Sequence, residues 1–110
     1  MEIRKNIFHE YLRDGEKERF NAEVVNLKKP VDLENCNLQG VDLRGVNLVD
    51  ANLKDSYLKS ADLRGVDLSH AKLSGASIHK ARIGGVLFPK SIDASEIRLS
   101  VEYGTRMRER

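Results

Sequence analysis

Three histidines, one cysteine and a dense set of Asp and Asn are the residues that could carry chemistry: metal ligation, nucleophilic attack or carboxylate acid–base work. Their spacing argues against each. His9, His70 and His79 form no pair with metal-ligand spacing, among themselves or with Cys36, so a zinc site is not expected. Cys36 sits where small, apolar residues recur and reads as a packed thiol rather than a nucleophile. The glycines at 40, 45, 65, 75 and 85 keep a five-residue beat, which marks corners of the chain and not a phosphate-binding loop. The Asp and Asn recur on the same beat, and side chains of this type at turns bond their own local backbone. The expectation is a protein that is not an enzyme, with no catalytic residues, no metal and no cofactor.

The elements that position these residues follow from the beat itself. From Leu33 an aliphatic residue recurs every five positions, through Leu38, Leu43, Leu48, Leu53, Leu58 and onward to Ile78 and Ile83, with Phe88 last. Two residues before each lies a small or β-branched residue, such as Val31, Cys36, Val41, Ala51, Ser56 and Ala61. Between the two stands mostly Asp or Asn: Asp32, Asn37, Asp42, Asn47, Asn52, Asp62 and Asp67. On an α-helix a step of five turns by about 140°, so the leucines would wind around every face. On a continuous strand an odd step sends successive leucines to opposite sides. All can point inward only if the chain turns a corner within each unit, which describes a solenoid.

A second period sets the winding. Val41-Asp42-Leu43-Arg44-Gly45-Val46 returns as Ala61-Asp62-Leu63-Arg64-Gly65-Val66, twenty residues on. Four units then make one coil, and residues 31–90 make three coils, roughly 14 Å of stacked backbone at ~4.8 Å per layer.

This pattern resembles the pentapeptide-repeat family, with its A(D/N)LXX motif, in twelve consecutive units over slightly more than half of the chain. The resemblance implies an all-β solenoid, a right-handed quadrilateral β-helix with central and minus-two side chains inside. The sequence departs from the motif at Tyr57, Lys72, Ser77, Arg82 and Leu87, all outward positions, so the departures bear on surface function rather than on fold.

Three regions result: an N-terminal cap over 1–30, the repeat array over 31–90, and a C-terminal cap with a basic tail over 91–110. In the first, Ile3, Ile7, Phe8, Tyr11 and Leu12 form one helical stripe that ends at Asp14-Gly15. Phe20-Asn21-Ala22 and Val25-Asn26-Leu27 read as two degenerate units adding a partial coil. In the third, Asp93-Ala94-Ser95-Glu96 has capping-box spacing, with Ile92 and Ile97 as a hydrophobic staple, and favours a helix closing near Gly104. The strict alternation of Ile97, Leu99, Val101 and Tyr103 is the competing strand signal. The segment serves as a cap or, alternatively, as a dimerising element; Thr105–Arg110 is expected to be mobile.

Composition agrees with a small, well-solvated domain. Aromatics are 5% with no Trp, so the core must be aliphatic, and charged residues at 33% cover the surface. A single cysteine rules out an internal disulfide framework, and no apolar run has signal-peptide or membrane-spanning length; a cytoplasmic location without membrane contact is the expectation.

Function must then lie on the outward positions. The first coil carries Asp32, Glu34, Asp42 and Asp50 against Arg44 alone, the second is balanced, and the third holds Lys72, Lys80, Arg82 and Lys90 with no acid. Charge therefore runs from negative to positive along the axis, which suits head-to-tail self-association or a partner of matching charge. Asp42, Arg44, Asp62, Arg64 and Arg82 should share one face and are the candidate interaction face; Lys72, Lys80, Arg82 and Lys90 are a candidate basic end. If that face is a recognition stripe, reversing Arg44 and Arg64 to Glu abolishes partner binding at an unchanged melting temperature. The leading expectation is a protein-interaction or scaffold module with a protein partner. The family resemblance supplies a second, a DNA-mimicking modulator of DNA gyrase, which wants a long acidic rod. A third is weak nucleic-acid binding through the basic third coil, although no aromatics interleave there for stacking.

Overall fold

A computed structural model describes residues 6–110. Residues 31–90 wind as a solenoid of twenty-residue coils. The proof is a set of parallel bridges joining residues twenty apart: Asp32 to Asn52 to Lys72, Asn37 to Tyr57 to Ser77, Asp42 to Asp62 to Arg82, and Asp67 to Leu87. In each of these bridges the later residue donates its N–H to one carbonyl of the coil before it and accepts from an N–H two residues further along that coil. Asn52, for example, donates to Val31 at 2.9 Å and accepts from Leu33 at 2.8 Å.

The all-β assignment needs correction. Among the described residues no strand is longer than one bridge, and the regular secondary structure is helical: α1 (Ile7–Arg13), α2 (Lys17–Val25) and α3 (Ala94–Tyr103). A corner every five residues leaves too few extended residues per face for a continuous strand. Three corners of each coil place their last residue in the left-handed region, either as glycine (Gly45, φ 78°) or as Asn35, Asp55, Ser60 and Lys80 near φ 60°. The fourth corner, at Asp50, His70 and Lys90, does not.

The leucines from Leu33 to Leu73 and Ile78 fill the interior at 1% exposure or less, each contributing about 1.5–3 kcal/mol of burial. Ser56, the polar member of the minus-two set, donates its hydroxyl to the Leu53 carbonyl at 2.6 Å. Outside, Asp32, Asn37, Asp42, Asn52, Asp62 and Asp67 each accept the N–H two residues on, at 2.9–3.2 Å. The recurring Asp and Asn thus brace the corners locally.

The flanks depart from expectation in three places. Phe20 to Leu27 is not a pair of degenerate repeat units: Lys17–Val25 is helix, and Phe20 and Val24, four apart, turn toward the core cluster as one stripe. α3 is the helix the capping signal favours over the strand. Its capping box is not formed, however: the Asp93 side chain makes no cap bond, and Glu96 instead accepts from the backbone and guanidinium of Arg108. Thr105–Arg110 is held, not loose. Met107 is buried, its backbone pairs with Gly75 and Ala76, and Arg106, Arg108 and Arg110 reach Asp55, Glu96 and Asp93. Ile3 lies outside the described residues; the remainder of its stripe forms α1, which Asn6 caps through the His9 N–H.

Candidate functional site

The outward positions twenty residues apart are stacked by the coil and form columns. Beside the column of Asp42, Asp62 and Arg82, cations interleave with the two aspartates and pair with them. Lys17, from α2, lies 3.0 Å from Asp42; Arg44 lies 3.0 Å from Asp42 and 3.3 Å from Asp62 in the next coil; Arg64 lies 2.8 Å from Asp62. Both arginines use two guanidinium nitrogens on the aspartate of their own unit, a planar, bidentate fit. The side-chain and backbone bonds from Arg44 hold the Asp42 carboxyl well below the usual range. The Arg64 guanidinium is the main cause that lowers Asp62 to about 2.

The structure therefore brings Asp42, Arg44, Asp62 and Arg64 into one ion ladder. Arg82 stands on the same face but outside the ladder, because position 82 is where the next coil's carboxylate would have been. Lys72, Lys80 and Lys90 are distributed around coil three: Lys72 stacks over Asn52, and Lys80 and Lys90 sit at two different corners. Among the described residues none of these four cations is paired with an acid. Lys17 completes the ladder yet lies on a helix outside the five-residue register, so no periodicity connected it to Asp42.

The histidines and cysteine serve the scaffold. His9 Nε2 lies 2.8 Å from the Asn37 carbonyl and so carries the proton there; His70 pairs with Ser69; the His79 ring lies so close to Gly104 that a Cβ there would stand 3.1 Å from it. Burial pushes the Cys36 thiol up to about 11, and the Asn6 amide donates to its sulfur at 3.7 Å. Among the described residues no three His, Cys, Asp or Glu side chains gather as a metal cluster, and no helix is long and apolar enough to cross a membrane.

The two ends of the array differ. At the first coil, side chains of the N-terminal cap meet carbonyls that point away from coil two. Asn6 donates to Asp32, Arg13 to Gln39 and Lys17 to Arg44, at 2.8–2.9 Å. Asn21 goes further: its amide donates to the Gly45 carbonyl and accepts from the Asn47 N–H, standing in for a backbone unit of an earlier coil. At the third coil, α3 and the tail cover residues 75–80 through Ser100, Val101 and Met107. Beyond Ala81 the cover ends: Ile83, Val86 and Phe88 are only partly buried, whereas their stacked counterparts Leu63, Val66 and Leu68 are at 3% exposure or less.

Comparison with curated proteins gives no match. Comparison with families matches pentapeptide repeats, in eight copies over residues 31–65 and 51–88, more than half of the chain. With the five-residue beat, the twenty-residue coil and the inward leucines all in place, the chain belongs to the pentapeptide-repeat family.

Proposed function

We propose that this protein is a non-catalytic interaction module, acting in the cytoplasm, whose rigid surface is read by a protein partner. The observation that carries this reading is the ion ladder of Asp42, Arg44, Asp62 and Arg64, with Arg82 continuing its face. A guanidinium already fixed by a bidentate carboxylate loses little side-chain freedom when a partner adds a further acceptor. The right-handed, quadrilateral winding that the family implies belongs to the same reading, since it sets the pitch of the face a partner would meet.

The test is capture of partners from nuclease-treated lysate on the immobilised protein, identified by mass spectrometry. The expected result is a discrete protein that is lost when Arg44 and Arg64 are both changed. Gln is the better replacement: Glu would place four carboxylates side by side and confuse lost recognition with lost stability. Retention of the same partner by the double variant, at an unchanged melting temperature, rules out the face. A molecule of 34 × 34 × 24 Å with a cationic third coil is not the long acidic rod that DNA mimicry wants. Gyrase subunits in the captured fraction would nevertheless reinstate that alternative, and nucleic acid recovered without nuclease would reinstate the other.

A further inference from the structure

The uncovered part of coil three is an unfinished β-layer. In the coils below, most faces offer the next coil an N–H at the central aliphatic position, a carbonyl two residues earlier and a corner N–H, as Leu43 and Val41 do to Asp62 and Gly65 does to Gly84; the Leu48 face is the exception. On coil three beyond Ile78 the corresponding groups are the N–H of Ile83, Gly85 and Phe88 and the carbonyls of Ala81 and Val86; the Leu73 N–H and Ala71 carbonyl, also without a bond, belong to buried residues. Among the described residues none of these five makes a hydrogen bond, whereas Gly75, Ile78 and Lys80 are satisfied by the C-terminal cap. The floor beside them is apolar: Ile83, Val86 and Phe88 are only partly buried, and Leu87 projects at 58% exposure. The rim is cationic, with Arg82 and Lys90 unpaired among the described residues.

We infer that this rim accepts one extended, acidic segment of a partner protein as an added β-layer over residues 81–88. The inference rests on the interaction-module reading and names the kind of partner. Backbone groups supply the pairing, and the outward residues supply the choice. An acid in the added layer stacks over Arg82 as Asn52 stacks over Asp32, where side chains twenty apart bond directly at 3.2 Å. The residue stacked over Leu87 is apolar, and those above Ile83 and Phe88 are aliphatic, closing the interior as Leu63 and Leu68 are closed by coil three. A second copy of this chain is disfavoured as occupant. Its N-terminal rim is already taken up by α1 and α2, and rim against rim would set Arg82 and Lys90 against themselves.

The test uses the full chain and a fluorescein-labelled synthetic peptide of two units, Ala-Asp-Leu-Glu-Ser-Ala-Val-Leu-Glu-Ser, which sets Asp over Arg82 and Val over Leu87, with a Lys-for-acid peptide as control. The expected result is saturable anisotropy for the acidic peptide alone, with amide exchange of Ile83, Gly85 and Phe88 slowed at least about tenfold at saturation. Arg82→Glu weakens binding by at least about tenfold, and Leu87→Asp does so independently; both sites are exposed, and unchanged melting confirms folding. Equal binding of the Lys peptide, or unaltered exchange at the three amides, overturns the inference. So does protection of those amides by dimerisation without peptide, or stronger binding of a single-stranded oligonucleotide. If the peptide fails while lysate capture through Arg44 and Arg64 persists, the rim assignment falls and the interaction module stands.

Discussion

The two ends of this solenoid solve one problem in opposite ways. Stacked coils leave unpaired backbone groups and an exposed apolar interior at each terminus. At the N-terminal end an apolar plug of Tyr11, Leu12 and Phe20 is present too, but the hydrogen bonding is done by polar side chains: Asn6, Arg13, Lys17 and Asn21 substitute for missing backbone donors. The C-terminal end is closed by main chain and an apolar plug, with Met107 over Gly75 and Ala76 and α3 over Ile78, and the closure stops halfway round the coil. The contrast teaches that capping is done face by face. A complete cap isolates the rod, and a half cap both stabilises it and leaves a place for something else.

The comparison can be broken most strongly at the plug. Met107→Ala should cost about 2–5 kcal/mol, a buried-side-chain loss with a cavity left behind, read by urea unfolding. Asn21→Ala should cost less, about 1–3 kcal/mol, because it strands the Gly45 carbonyl and the Asn47 N–H without opening a cavity. It should also speed amide exchange at Asn47, which Met107→Ala leaves alone. If Asn21→Ala proves as costly as Met107→Ala, the two ends are not different in kind.

A smaller effect tests the corners beneath the C-terminal cap. Lys80 holds φ 58° where neighbouring units use glycine, so Lys80→Gly should stabilise by about 0.5–1 kcal/mol, the left-handed penalty less the added chain entropy. A loss of stability would show that the Lys80 side chain matters to the cap. The smallest effect is acid sensitivity. Asp62, at about 2 in the folded protein, lies below its unfolded value near 4, so the native state binds fewer protons between these values. Its contribution is present above pH about 4 and lost as pH falls towards about 2. Asp62→Asn should remove part of the fall in melting temperature over that window. Glu96→Gln should do the same at the other end of the rod, where Arg108 lowers the carboxyl.

Much of the array was legible because it is periodic. The leucine every five residues and the twenty-residue return of Val41–Val46 predicted the coil, the stacked columns and the corner glycines, and the bridges agree. What was not legible lies where period gives way to three-dimensional placement. Phe20 and Val25 each begin a tripeptide that imitates a repeat unit, but in helix α2 Phe20 and Val24 turn to the core together, and Asn21 then meets Gly45 and Asn47. The Asp93–Glu96 spacing imitates a capping box, but Glu96 finds a bidentate guanidinium in Arg108, twelve positions further along the chain and beyond any local pattern. Arg82 stacks over Asp62; that it stands unpaired among the described residues depends on what the next layer lacks.

The twenty-residue return has a consequence for lengthening the molecule. Duplicating residues 51–70 in tandem adds one whole turn and restores every column to its register, so the caps at both ends meet the surfaces they already fit. Duplicating a single unit of five residues adds only a quarter turn. Placed between residues 43 and 61, it would leave Ser100 and Met107 on Ile78, Gly75 and Ala76 but turn Asp62 one face away from Asp42. Growth in this architecture is quantised in whole coils, even though its sequence is written in quarters of that interval, four units to the turn.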